Sequence, residues 1–270
     1  MNISVYIGKK GQDSEIADLL AELAAGGCEV NVLGPGELPA EGTDMLLSVG
    51  GDGTFLSSSR LVSASGIPVL GVNFGRLGFL SENRPASVAQ AILSGEYAVE
   101  SRVMLKAEVH TSCAEIDEWP YALNEFTVHR SGAAMLGVDV TIDGVKLPTY
   151  WSDGLIVSTS SGSTAYSLSA GGPIVLPESR VLIVTPIAPH NLNVRPLIVP
   201  DSAEITLRMH SRDENVIFTA DNRTAAVPAE TEIAIRVAQF SLKRVRLNRS
   251  NFIDALTEKL FWGEDVRNIR

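Results

Sequence analysis

The stretch Asp44-Met45-Leu46-Leu47-Ser48-Val49-Gly50-Gly51-Asp52-Gly53-Thr54 decides the fold. Its first half is an apolar run of strand length, and its second half breaks into glycines around one carboxylate. From Thr54 to about residue 65 the spacing is helical. A strand that turns through glycines into a helix is the opening of a β–α–β unit, so the neighbouring segments are expected to alternate in the same way.

They do so on both sides. Asn2–Ile7 reads as a strand. Asp13–Ala25 reads as a helix with Ile16, Leu19, Leu20 and Leu23 on one face, closed by Gly26-Gly27. Residues 29–33 and 68–72 read as strands, and 85–93 as a helix. This alternation predicts a Rossmann-like α/β domain with a parallel sheet over residues 1–100. Past Glu100 the pattern changes to short alternating runs split by Gly, Pro, Asn and Asp: 103–110, 121–129, 138–142, 154–158, 181–185, 204–210, 216–220 and 232–237. Asp143-Gly144 is a hairpin turn. Residues 101–250 are therefore expected to form an all-β domain. Residues 251–270 return to helical spacing, with Phe252, Leu256, Leu260 and Phe261 apolar, as a C-terminal helix packing back.

Composition narrows the function classes. With 270 residues, 45% of them hydrophobic, the chain can bury substantial cores. A net charge of −10 argues against a nucleic-acid partner. It does not argue against a phosphorylated small molecule, which backbone amides, a metal and a few local cations can hold. The apolar runs are too short to span a membrane. Met1-Asn2-Ile3-Ser4-Val5 begins a strand at once and leaves no room for a signal peptide. Cys28 and Cys113 form no CxxC pair, so a reducing cytoplasm is expected, without a disulfide or zinc site. Asn222-Arg223-Thr224 and Asn248-Arg249-Ser250 match the glycosylation pattern, which a cytoplasmic chain would not use.

The glycine turn carries the chemistry. Glycines admit positive φ and close approach of a ligand, and amides at a helix start can cradle phosphate oxygens. A carboxylate among phosphates is repulsive unless it has a task. Asp52 can hold a divalent cation, take a proton from an attacking hydroxyl, or cap the helix. The spacing is neither Walker A nor Gly-x-Gly-x-x-Gly.

The turn Gly50-Gly51-Asp52-Gly53-Thr54 resembles that of a kinase superfamily that includes diacylglycerol, sphingosine, phosphofructo- and NAD kinases. Further segments, in order, resemble bacterial NAD kinases: Gly71-Val72-Asn73, Gly75-Arg76-Leu77-Gly78-Phe79-Leu80, Asn124-Glu125, Asp153 to Thr159, Ser161 to Pro173, and Pro186 to Leu192 with Arg195-Pro196. The resemblance runs from about Leu46 to Trp262. It implies an enzyme that transfers the terminal phosphoryl group of ATP, or of polyphosphate, to the 2′-hydroxyl of the adenosine ribose of NAD, giving NADP. Asp52 would be the general base and a divalent cation, Mg²⁺, the cofactor. NAD would be held by Asp52, Gly53, Asn124, Glu125, Asp153, Thr164, Ala165, Tyr166, Ser167, Leu168, Ser169, Ala188 and Arg223. A homo-oligomer is expected, with the site in the crevice between the domains.

The residue chemistry suits these roles. Asn124 beside Glu125 offers nucleoside hydrogen bonds without two adjacent charges. Asp153 can accept from an amino, hydroxyl or carboxamide group, and Tyr166 adds a flat ring with a polar tip. Plainer readings stand beside them: Asn124-Glu125 as a solvated strand end, Ser160 to Ser163 as a loop, and His190 as structural. Ser57 stands where many relatives carry arginine, and Trp151 where some carry a basic residue. Both departures leave phosphate charge to be neutralised elsewhere. The alternatives are another kinase with this turn, acting on a lipid or sugar, and a non-catalytic NAD-sensing module.

Overall fold

The computed structural model describes residues 1–8, 13–75, 78–111, 113–247 and 251–262. Arg76, Leu77 and the Asn248-Arg249-Ser250 triplet lie outside the described residues. In chain order the elements are β1 (Asn2–Ile7), α1 (Asp13–Ala25), β2 (Glu29–Val32), β3 (Met45–Val49), α2 (Asp52–Val62), β4 (Val69–Val72), α3 (Pro85–Ser94) and β5 (Tyr97–Val109). There follow α4 (Ala114–Asp117), β6 (Tyr121–Ala122), β7 (Glu125–Arg130), β8 (Leu136–Ile142), β9 (Val145–Lys146), β10 (Tyr150–Ser152) and β11 (Gly154–Thr159). A 3₁₀ turn (Ser161–Thr164) leads to α5 (Tyr166–Ser169), β12 (Val181–Ile187), β13 (Leu197–Pro200), β14 (Ile205–His210), β15 (Asn215–Ala220), β16 (Arg223–Pro228), β17 (Glu232–Leu247) and α6 (Phe252–Leu260).

The chain divides into two units, Met1–Ser101 with Leu242 onward, and Arg102–Ser241. In the first unit the sheet runs β17-β4-β3-β1-β2, all parallel. Alternate residues of its strands (Ile3, Val5, Met45, Leu47, Leu70, Val72) share a core with Ile16, Leu19 and Leu23 of α1 and Val88, Ala89 and Ile92 of α3. Period 2 in the strands and period 3.6 in the helices meet there, as the sequence requires. α2 packs against β3 and β4 through Phe55, Leu56 and Val62, which lie outside that core. Leu46 and Ser48 point away from it too, being the alternate residues of β3.

The second unit is an antiparallel sandwich. Its six-stranded sheet runs β13-β12-β11-β7-β15-β16, and β10-β8-β14-β17 forms the facing layer. Phe126, Val128, Leu155, Val157, Val184 and Phe218 of the first layer meet Val138, Val140, Ile205, Leu207, Ile233 and Ile235 of the second. Phe126 and Phe218 stack with ring centroids 5.4 Å apart. Asp143 (φ 48°) and Gly144 (φ 80°) make the expected hairpin, pairing Ile142 with Val145.

Several boundaries differ from expectation, and β5 already begins at Tyr97 instead of residue 103. β17 runs on from Glu232 to Leu247 instead of ending at 237, and Arg244 pairs in parallel with Val69 of β4. Residues 242–247 therefore join the α/β unit, and so does the C-terminal helix. The expected strand 121–129 is two strands, because Leu123 and Asn124 turn their amides to Asp221. α2 begins at Asp52, not Thr54. Among the described residues no helix is long and apolar enough to cross a membrane.

Candidate active site

The glycine turn leaves β3 at Val49 and enters α2 at Asp52. Gly50 takes φ 149°, and a β-carbon there would lie 2.3 Å from Thr54 Oγ1, so only glycine fits. Asp52 is the first residue of the helix, but it does not cap it; the N-cap is Gly51, without a side-chain bond. The Asp52 carboxylate instead accepts the amides of Phe79 (2.9 Å, Oδ2), Leu80 (3.1 Å, Oδ1) and Ser81 (2.8 Å, Oδ1). The capping reading is thereby corrected: three amides from the Gly78-Phe79-Leu80-Ser81 segment orient the carboxylate. Gly53 is exposed at the helix start, where amides lack intrahelical partners. Ser57 returns its hydroxyl to the Gly53 carbonyl at 3.2 Å.

In the second unit Glu125 and His129 of β7 share the face of the six-stranded sheet opposite the core residues Phe126 and Val128, whereas Arg223 of β16 shares the face of Ala225 and Val227. Asn124 and Glu125 are both 7% exposed, so the solvated-strand-end reading fails. The amides of Leu123, Asn124 and Glu125 all point to the Asp221 carboxylate, at 2.8, 2.8 and 3.2 Å. Burial pushes the Asp221 carboxyl above its usual range, against those amides and the nearby Arg223. Burial, then the Asp221 charge, pushes the Glu125 carboxyl up to about 8, with the Tyr166 amide pulling the other way. Glu125 is thus mostly a neutral acid at pH 7, able to donate as well as accept. The Ser160 and Ser163 hydroxyls are tied to the carbonyls of Pro177 (2.9 Å) and Val175 (3.1 Å), which makes their loop a built one.

Tyr166 opens α5, stacks on His129 with ring centroids 5.6 Å apart, and meets His129 Nε2 through its hydroxyl at 3.0 Å. Burial lowers the His129 pKa, against the pull of Asp153. Asp153 is paired with Arg130 Nε at 2.7 Å. Thr164 ends the 3₁₀ turn, and Ala165 is the residue before α5. Leu168 is half-buried, while Ser169 and Ala188 are exposed, Ala188 at φ 45°. Ser167 is fully buried, its hydroxyl 2.9 Å from Thr185 Oγ1, which makes it a support for the turn. Arg223 sends its guanidinium to the carbonyls of Trp119 and Tyr121, both at 2.7 Å. Trp151 lies against Gly137, where a β-carbon would meet its ring at 2.8 Å.

His129 and Asp221 are site-forming residues that sequence reasoning passed over. His129 was legible only as an alternate residue of a strand, and Asp221 as the turn before Arg223. Glu125 Oε2, Thr127 Oγ1 and Ser158 Oγ are buried without a hydrogen-bond partner among the described residues, and Ser158 pairs directly with Glu125 across β11 and β7. Unpaired buried polar atoms grouped in this way fit a site that takes up water or a polar ligand group. A resident metal fits less well. No group of three or more His, Cys, Asp or Glu side chains able to hold one occurs among the described residues, and both Asp52 oxygens already receive amides.

Residues 36–97 match the family model for the ATP-NAD kinase N-terminal domain and residues 123–247 that for the ATP-NAD kinase C-terminal domain. An NAD kinase of Flavobacterium psychrophilum is 44% identical over 229 residues, covering 83% of this chain and 78% of its own. One from Bacteroides fragilis is 42% identical over 228 residues, covering 83% of this chain and 78% of its own. Among solved structures, an NAD kinase from Archaeoglobus fulgidus in complex with ATP superposes at TM-score 0.76 with 29% identity, covering 96% of this chain and 98% of its own. Yeast NADH kinase complexed with NADH shares the fold at TM-score 0.86 and 24% identity, covering 100% of this chain and 90% of its own. The glycine turn, the two domain types and relatives of over 40% identity across most of the length agree, and the chain belongs to the NAD kinase family.

Proposed function

We propose that the chain transfers the terminal phosphoryl group of ATP to the 2′-hydroxyl of the adenosine ribose of NAD, giving NADP, with Asp52 as general base. The observation that carries this reading is the Asp52 carboxylate, oriented by three amides at the start of α2 in the glycine turn. A ribose hydroxyl is a weak nucleophile at neutral pH, and its proton must go to a positioned acceptor as the new P–O bond forms. Asn124, Glu125 and Tyr166 hold the nucleoside, with Asp153 supporting it and His129 backing the tyrosine ring. Ser167, Arg223 and Asp221 act behind them as framework.

The divalent cation enters with ATP as part of the substrate. Cys28 and Cys113 form no disulfide among the described residues, which suits a cytoplasmic enzyme. A homo-oligomer with no nucleic-acid or membrane partner completes the reading. The test incubates the purified chain with NAD, ATP and Mg²⁺ and follows NADP formation. Adenosine, a diacylglycerol and polyphosphate serve as alternative acceptors and donor. Phosphorylation of the lipid with none of NAD would overturn the reading. Binding of NAD with no turnover under any donor would leave a sensing module.

A further inference from the structure

The segment Gly78-Phe79-Leu80-Ser81 is held from two sides. On one side its amides converge on Asp52. On the other, the Lys259 ammonium of α6 donates to the Gly78 carbonyl and lies 4.7 Å from the centroid of the Phe79 ring. Phe252, two turns earlier on the same helix, stands 6.0 Å from that ring. Arg244 of β17 reaches the Phe79 carbonyl at 3.5 Å and pairs with Glu82 at 2.6 Å. Peptide groups that give their protons to an anion and their oxygens to cations are polarised along one direction, and such linked bonds strengthen one another.

Lys259 is half-buried, which is unusual for a lysine that only solubilises a helix. Burial lowers its pKa, while Glu82, Asp52 and Glu258 act to keep it charged and Arg244 acts against that. The residue lies beyond residues 123–247, where the family match ends. The amphipathic tail was read from sequence only as a packing helix.

We propose that Lys259 is a positioning residue for Asp52. Through the Gly78 carbonyl and the Phe79 ring it presses the 78–81 segment onto the carboxylate and fixes the direction in which the base points. It also supplies a cation facing that base, in a chain that has serine at position 57. The proposal rests on the reading of Asp52 as the base, and the experiment separates the two.

Wild-type NADP formation is measured first; its absence would refute the function, whatever Lys259 does. Lys259→Met keeps the stem over Phe79 and removes charge and donor. Its kcat should fall roughly 10–100-fold, the range for a misplaced catalytic group. NAD affinity, measured without ATP, should stay within about threefold, because Lys259 touches none of the nucleoside-holding residues. The acid limb of the kcat–pH profile should move to higher pH, because losing a nearby cation raises a carboxylate pKa. Lys259→Arg should recover part of both effects. Should the methionine variant not fold, Lys259→Gln, which keeps a donor without charge, carries the same expectation for the acid limb. The proposal stands only if kcat falls and the acid limb rises. An unmoved limb, with or without a loss of kcat that follows thermal stability, overturns it.

Discussion

Gly78 and Asp52 approach so closely that a β-carbon on Gly78 would stand 1.8 Å from the Asp52 Oδ1. The carboxylate occupies the space a side chain would need, which is how three successive amides can reach it. Gly78→Ala must therefore move either the loop backbone or the head of α2. An overpacked site of this kind costs about 1–3 kcal/mol. The urea midpoint should fall accordingly and turnover should fall further than the stability loss explains. A variant with wild-type midpoint and turnover would show that this approach is not required.

Asp52→Asn keeps the shape but places an NH₂ group where an amide donor already points. At least one of the three hydrogen bonds is lost and a donor faces a donor. Turnover should drop by roughly 10²–10⁴, the usual contribution of a general base. A modest loss in melting temperature should accompany it, with NAD affinity kept. Near-wild-type kcat would leave Asp52 as a loop organiser alone.

Glu125 predicts a pH-dependent stability. Its folded pKa of about 8 lies above the ordinary 4.5, so the folded state binds more protons than the unfolded state between those values. Stability from this group is complete below about pH 4.5 and is lost as pH rises through about 8. Glu125→Gln removes the titration. Melting temperatures taken from about pH 5 to 9 should decline more steeply for wild type than for the variant. Parallel curves would place the Glu125 carboxyl in its ordinary range.

Asn124→Ala and Arg223→Ala should separate binding from framework. Asn124→Ala should weaken NAD more than ATP, by about 0.5–1.5 kcal/mol for one hydrogen bond. Arg223→Ala leaves the carbonyls of Trp119 and Tyr121 without their donor and should cost about 1–3 kcal/mol of stability. Its NAD affinity, measured on the folded fraction by titration, should stay near wild type. An affinity loss for Arg223→Ala without a stability loss would restore it as a ligand residue.

Much of this architecture was readable in the order of residues, and the exceptions have physical causes. α1 was legible to its end residues because Ile16, Leu19 and Leu23 repeat on one face and Gly26-Gly27 stops them. β17 was not, because Gln239, Phe240 and Ser241 interrupt its alternation where the strand passes from one core to the other. The glycine turn was legible because glycine and aspartate leave few local alternatives. Asp221 was invisible as a site-former, since its partners are nearly a hundred residues away in sequence. Lys259 stands outside the apolar positions that marked the C-terminal helix in the sequence. Nothing local shows that such a lysine will meet a carbonyl 181 positions earlier.

β17 also sets the order in which the molecule can be finished. The α/β unit contains residues 1–101, which leave the ribosome before the sandwich does, yet the strand beside β4 comes from residues 242–247. Until that segment is synthesised, β4 has an open edge and the buried Arg244 has not reached Glu82. The sandwich, made from one continuous stretch, can close earlier. Translation thus begins the α/β unit before the sandwich and completes it after. A nascent chain stalled before residue 242 would carry a folded sandwich beside an unfinished sheet, exposed to chaperones or to aggregation.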